Sequence, residues 1–210
     1  MAATITADVV KQLRDKTGAG MMDAKKALVE ADGDVSKAAK LLREKGIAKA
    51  AKKEGRATRE GIIFSYIHPG DRLGVLIELN CETDFVARTE PFRGLAKELA
   101  MQVAAASPIV VTPEQLPENL VEIEREVYRQ QARNEGKPDA VVEKIVEGKV
   151  KKYQQDVCLL LQPYIKDQDR TVADLVTETV AKLGENITVK RFSRFQTDSP
   201  CRRNTMRYMR

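Results

Sequence analysis

Apolar positions early in the chain recur at helical spacing in three short runs, each bounded by capping chemistry. Val9, Val10 and Leu13 form the first stripe, with Thr6 where an N-cap belongs and Gly18 where a helix stops. Met21, Ala24, Ala27 and Leu28 share one face of the second, which ends at Asp32-Gly33. Asp34 caps the third, whose stripe of Val35, Ala38, Leu41 and Leu42 runs up to Gly46. These faces are small and rich in Ala, so the helices can approach closely. They predict a compact three-helix domain over residues 1–46. Residues 47–60 lose the stripe and gain Lys and Arg, and read as a basic, solvated, partly helical linker.

From residue 61 the period changes to two. Ile62, Phe64 and Tyr66 alternate with Ile63, Ser65 and Ile67; Pro69-Gly70-Asp71 turns the chain, and Val75, Ile77, Leu79 and Cys81 alternate on the return. This predicts a β-hairpin. Asp84 is placed to cap a short helical turn directly after the second strand, which throws Phe85 to the strand–helix corner. Thr89 then caps a helix with Pro91 in its first turn and Phe92, Leu95, Ala96, Leu99, Ala100 and Val103 along one face.

Beyond Pro108, Pro113 and Pro117 come two charged helices, over 118–135 and 138–153, joined by Gly136-Lys137-Pro138. Their apolar positions are few (Leu120, Ile123 and Val127; Val141, Val142, Ile145 and Val146), which suits a projecting helical hairpin over 118–153. Thr171 caps a last helix carrying Val172, Leu175, Val176, Val180 and Leu183; Gly184 ends it, and Ile187–Phe192 reads as a strand. The expected class is α+β. After the three-helix domain comes a core over 61–195, a small antiparallel sheet packed on helices, and then a disordered Arg-rich tail over 196–210.

Charge changes this picture little. The net charge is +5, but Arg202, Arg203, Arg207 and Arg210 in the tail supply four of those charges, so the body is nearly neutral. It lacks the general positive excess that phosphate-backbone binding demands. Aromatics are 5% of the chain and Trp is absent, which disfavours a base-stacking platform. The three cysteines (Cys81, Cys158 and Cys201) form no CxxC pair, and no secretory signal follows Met1, so a reduced, cytoplasmic protein is expected. No apolar run reaches membrane-spanning length.

Common catalytic plans each lack a part. Neither GxxxxGK[ST] nor GxGxxG occurs, so the chain is not expected to bind a nucleotide directly. His68 is the only histidine and sits beside Pro69, where an exposed turn residue is the ordinary reading. A hydrolase built on Cys81 would need a base that the sequence does not supply. No metal or cofactor is expected, and the chain reads as a non-enzyme.

Two segments stand out physically. Met21 and Met22 are adjacent at a helix start, and neighbours on a helix point about 100° apart, so both cannot face one small core. Either Met21 is core and Met22 merely exposed, or the pair offers an adaptable contact to a partner. Phe85, in Thr83-Asp84-Phe85-Val86, is either core filler or a binding residue at a corner beyond a strand end.

The segments Thr-Gly-Ala-Gly-Met-Met-Asp-Ala-Lys-Lys-Ala-Leu at 17–28 and Cys-Glu-Thr-Asp-Phe-Val-Ala at 81–87 resemble the two signatures of the elongation factor Ts family. The likeness continues through Gly136-Lys137-Pro138, Val146-Glu147-Gly148-Lys149, Gln162-Pro163-Tyr164 and Gly184-Glu185-Asn186-Ile187, across roughly residues 3–195. The resemblance implies a ubiquitin-associated-like helical domain before the α+β core. It implies elongation factor Tu as partner, both GDP-bound and nucleotide-free, and guanine-nucleotide exchange in translation elongation as function. Met21 and Met22 would pack on a helix of the partner's GTPase domain. Asp84 and Phe85, flanked by Thr83 and Val86, would enter a cleft and disturb the segment behind the bound magnesium. Leu183 and Gly184 match another contact loop.

Two departures from the family pattern matter. Long members carry the core subdomain in two copies and this chain has one, which predicts a homodimer, with the apolar stretch around Cys158 as a candidate for its vicinity. Gln102 stands where many relatives have a histidine, leaving any contact there in doubt. The rival reading is a small RNA-associated helical protein using the basic linker and tail, although nucleic acid is not among the expected partners.

Overall fold

The computed structural model describes residues 5–197. Of the tail expected over 196–210, Gln196 belongs to a strand and the residues from 198 on, with Cys201, lie outside the described ones. The predicted caps of the first three helices are present. Thr6 accepts from the Val9 amide ahead of α1 (Ala7–Thr17), and Gly18 closes that helix at φ 68°. Helix α2 (Met21–Glu30) leads into Asp32 and Gly33, at φ 51° and 83°, a left-handed pair that reverses the chain. Asp34 then accepts from the Ser36 and Lys37 amides to start α3 (Val35–Ala51). Val10, Leu13, Ala24, Ala27, Leu28, Ala31 and Ala38 form the core of this three-helix unit.

Helix α3 does not stop at Gly46 as its pattern implies. It runs on to Ala51 through Ala- and Lys-rich residues of good helix propensity. The glycine marks a close approach instead: a Cβ there would lie 3.4 Å from the Ala181 Cβ of the last helix.

Strands β1 (Glu60–Ile67) and β2 (Leu73–Cys81) form the hairpin. The His68 amide donates to the Leu73 carbonyl at 2.8 Å, and Gly70 and Asp71 take positive φ in the turn. Val75, Ile77, Leu79 and Cys81 are buried, as the alternation predicts. A short helix α4 (Asp84–Ala87) precedes α5 (Glu90–Ala106), in which Phe92, Leu95, Ala96, Leu99, Ala100 and Val103 are buried. Next come α6 (Glu118–Asn134) and α7 (Asp139–Val157), the latter running four residues past its predicted end. A two-residue strand, β3 (Pro163–Tyr164), pairs antiparallel with β4 (Asp167–Thr171). Helix α8 (Val172–Leu183) and strand β5 (Ile187–Gln196) complete the described chain. The main sheet has the order β1-β2-β5. The architecture is α+β.

Among the described residues the chain packs as two compact units. One runs to Ile62 and adds Asn80–Leu95 and Ala173–Thr188; the other takes Ile63–Leu79, Ala96–Val172 and the chain from Val189 on.

In the second unit, the helical hairpin packs through the expected Val142, Ile145 and Val146 of α7 but through a different face of α6. Ala132, Val142, Val146 and Val150 are buried against Val121, Tyr128 and Ile145. Ile123, Val127 and Val141 are exposed instead. Residues 121, 128 and 132 recur at i+7 and i+11, a helical repeat that a count of the larger aliphatics overlooks. Arg129 ties the two helices by bonding Glu143 at 2.8 Å. Cys158 is wholly buried and forms a parallel bridge with Val110, so it packs within its own chain.

Gln102 has an internal role. Only 1% exposed, it donates to the Gln162 side chain at 3.1 Å and to the Pro163 carbonyl at 3.2 Å, and accepts from the Ile165 amide at 2.9 Å. Its side chain is spent on fixing the segment that enters β3. Replacing Gln102 with Leu keeps the volume but strands these partners, which should cost about 1–3 kcal/mol. Urea unfolding checks this, and an unchanged midpoint would contradict it.

Candidate functional site

The chain leaves β2 through Cys81 and Glu82 and turns into α4. Thr83, not Asp84, is the N-cap: its backbone is extended at φ −128° and ψ 152°, and its hydroxyl accepts from the Val86 amide at 3.4 Å. Asp84 occupies the first helical position, where its carboxylate accepts from Arg88, one turn on, at 2.9 Å. The expectation that Asp84 caps this turn is corrected: either residue type can cap a helix, and the extended backbone at Thr83 decides. Val86 and Ala87 are buried and hold this turn down. At about 100° per residue that orientation sends Phe85 outward, and it is 77% exposed. The core-filler reading of Phe85 is therefore overturned.

A second chain segment braces the corner. Glu185, just past α8, accepts from the Glu82 amide at 3.1 Å and the Thr83 amide at 3.0 Å through one carboxylate oxygen. Its other oxygen accepts from the Thr83 hydroxyl at 2.6 Å. Glu82 returns the arrangement by accepting from the Asn186 amide at 2.7 Å. The strand ends are thus cross-tied by two carboxylates. Charge-assisted bonds of this kind are about twice as strong as neutral ones. Asn186 also donates to the Arg56 carbonyl at 2.9 Å, and the Arg56 guanidinium lies 3.6 Å from Glu82.

The other expected contact residues lie along the same run of interactions within this unit. Leu183 is half-buried, and Gly184 is exposed at φ 83°, with its carbonyl accepting from Lys53. A Cβ placed at Gly18 would sit 3.5 Å from the Lys182 side chain, an ordinary van der Waals distance. Three residues past Gly18 begins α2, with Met21 46% and Met22 64% exposed. An ion pair of 2.9 Å between Lys49 and Asp23 fastens this start to α3, and the hydrogen bond from Lys49 holds the Asp23 carboxyl below its ordinary range. Contacts through Asp23–Lys49, Lys53–Gly184 and Glu185–Thr83 therefore link the start of α2, the Leu183-Gly184 loop and the Phe85 corner. Val86 supports that corner from beneath.

Glu185 is the residue that the sequence reading missed. Periodicity gives no reason to notice it, because its partners are distant in the chain. The available signal was its place directly after Leu183-Gly184.

The chemistry around the corner suits contact. Cys81 lies beneath it, donating to the Thr83 carbonyl at 3.1 Å. Burial, helped by the nearby Glu185 charge, pushes its thiol up to about 11, so it is not a thiolate nucleophile at neutral pH. His68 shares its ring nitrogen with the Tyr66 hydroxyl at 3.0 Å. Among the described residues, no group of three or more His, Cys, Asp or Glu side chains is placed to hold a metal ion, and no helix is long and apolar enough to cross a membrane. In the basic segment, Lys49, Lys53 and Arg56 have partners within the chain.

The chain is similar to known proteins over most of its length. The family model described as Elongation factor TS matches residues 2–196. A protein named Elongation factor Ts from Desulforamulus reducens is 57% identical over 194 residues, spanning 92% of this chain and 89% of that protein. One of the same name from Carboxydothermus hydrogenoformans is 57% identical over 192 residues, spanning 91% and 88%. A third, from Oleidesulfovibrio alaskensis, is 59% identical over 194 residues, spanning 92% and 98%.

Because Phe85 is so exposed, Phe85→Ala should leave stability within about 0.5 kcal/mol of the parent. A loss nearer the ~3 kcal/mol typical of a core Phe→Ala change, read by urea unfolding, would return Phe85 to the core.

Proposed function

Because the chain belongs to the elongation factor Ts family, we propose that it is a guanine-nucleotide exchange factor for elongation factor Tu. It binds the GDP-bound and nucleotide-free partner during translation elongation and works in the cytoplasm. It performs no bond chemistry and needs no cofactor. The observation that carries the finer reading is Phe85, exposed on a turn that is capped by Thr83 and tied down by Glu185.

Asp84 and Phe85 enter the partner near its magnesium and phosphate site and displace the groups that hold them. Linkage supplies the driving force. A protein that binds the empty GTPase more tightly than the GDP form must weaken GDP by the same factor. Charge contacts to phosphate and Mg²⁺ hold much of a nucleotide's affinity, so disturbing them is an economical route. Thr83 and Val86 set the corner. Met21 and Met22 supply adaptable apolar contact, and Leu183 and Gly184 a further contact loop.

Release of a fluorescent GDP from elongation factor Tu, followed at rising concentrations of the chain, tests the division of labour. Phe85→Ala should lower the saturated rate by about 30-fold, the kinetic equivalent of a ~2 kcal/mol central aromatic contact. Met21→Ala combined with Met22→Ala should raise the half-saturating concentration and leave the saturated rate near normal. A normal saturated rate for Phe85→Ala, or a fall in that rate for the methionine pair with binding intact, would refute the assignment.

The active species is a homodimer on this reading. The chain has one core where long relatives have two, and Ile63, Ile67, Leu76 and Phe195 on the three strands are exposed apolar residues that a second copy would cover. Light scattering at micromolar concentration should give twice the chain mass of 23.4 kDa. A monomer mass for fully active protein would rule the dimer out.

A further inference from the structure

Phe85 is useful at a nucleotide site only if it is held in one direction, and its own helix is four residues long. An isolated turn of that length has no stability of its own, since helix nucleation is unfavourable and only tertiary contacts offset it. Two contacts hold it from inside, the buried Val86 and Ala87. Cys81 and Arg88 add local bonds to Thr83 and Asp84, and the restraint that comes from a distant part of the chain is the Glu185 carboxylate. Its three bonds reach both amides that lead into the turn and the hydroxyl of the capping residue. No other side chain of the described residues bonds both the entry backbone and the cap. Glu185 also directly follows Gly184, whose carbonyl accepts from Lys53, so the same short segment contributes a contact loop and the brace.

We propose that Glu185 is a positioning residue for nucleotide release, acting through Phe85 by fixing the Thr83 cap and thereby the direction in which the aromatic ring is presented. This rests on the exchange reading above. Binding of the partner through the methionine pair does not need the brace, because that surface is built on α2 and its Lys49–Asp23 pair. Loss of Glu185 therefore affects the rate within the complex and leaves assembly of the complex intact.

The experiment is concentration-dependent release of fluorescent GDP from elongation factor Tu by the full chain, with thermal melting of each variant. The set is the parent, Phe85→Ala, Glu185→Ala, Glu185→Gln and the double variant with Phe85→Ala and Glu185→Ala. Glu185→Ala should lower the saturated rate roughly tenfold or more, as misplaced reacting groups do, with half-saturation within about twofold. Glu185→Gln retains a carbonyl acceptor for the two amides and a polar neighbour for Thr83, and should recover most of the rate. The double variant should be no slower than Phe85→Ala alone, since a brace has nothing left to position.

A slowing that adds to that of Phe85→Ala, or a rise in half-saturation alone, would overturn the proposal. So would a normal rate for Glu185→Ala. If Glu185→Ala melts below the assay temperature, Glu185→Gln decides: a stable amide variant as slow as Phe85→Ala would equally overturn it. Should the parent itself fail to release GDP, the exchange reading falls. A competent parent that Phe85→Ala slows, beside an unaffected Glu185→Ala, leaves that reading standing and removes only the brace.

Discussion

Glu185 accepts two backbone amides and a hydroxyl at the exit of β2, while Glu82 at that exit accepts the amide of Asn186 at the entry to β5. The exchange satisfies polar groups that the sheet no longer pairs once its strands end. It also converts two loose chain ends into one junction. The cap on α4 follows from how that junction holds Thr83. So does the route of the following loop, since the segment carrying Glu185 begins at Gly184, whose carbonyl meets Lys53.

A contact surface of this kind departs from the rule by which the rest of the chain folds. Burying an aromatic side chain gains about 1.5–3 kcal/mol, and the fold forgoes that gain at Phe85 while burying Phe92 completely a short way on. Met21 and Met22 show the same departure beside the buried Ala24 and Leu28. Local departures from core logic at sites of function are the general pattern, and here they lie along one connected set of contacts. Rigid presentation lowers the ordering cost of binding, which gives the brace a thermodynamic purpose beyond local stability.

Most elements were legible because their signals are local. Thr6, Gly18 and Asp34 act within four residues of themselves, and the alternation from Val75 to Cys81 needs only the neighbouring strand. The misreadings share one cause, a partner distant in sequence. Gly46 resembles a helix stop until Ala181 is seen across from it. At Gln102 the sequence left a partner contact in doubt, and the answer lies in Gln162, Pro163 and Ile165, which close around it. Strand β3 is two residues long, too short for any period to show. In α6 the seam runs through Val121, Tyr128 and Ala132, and the exposed Ile123 and Val127 gave the wrong face. For the site, the residue types at Met21, Met22 and Phe85 raised the right question, and their exposure answered it. Glu185 was invisible because a carboxylate in a loop carries no pattern until its acceptor geometry is known.

As an exchange factor, this chain is proposed to oppose GDP on one GTPase. The most direct test of that proposal is titration calorimetry of the chain into elongation factor Tu, once with the nucleotide-free protein and once with the GDP-bound form. Affinity should be higher for the empty form, and the ratio of the two should equal the factor by which the chain weakens GDP in the reciprocal titration. Equal affinity for both forms, or no binding to either, would contradict the account.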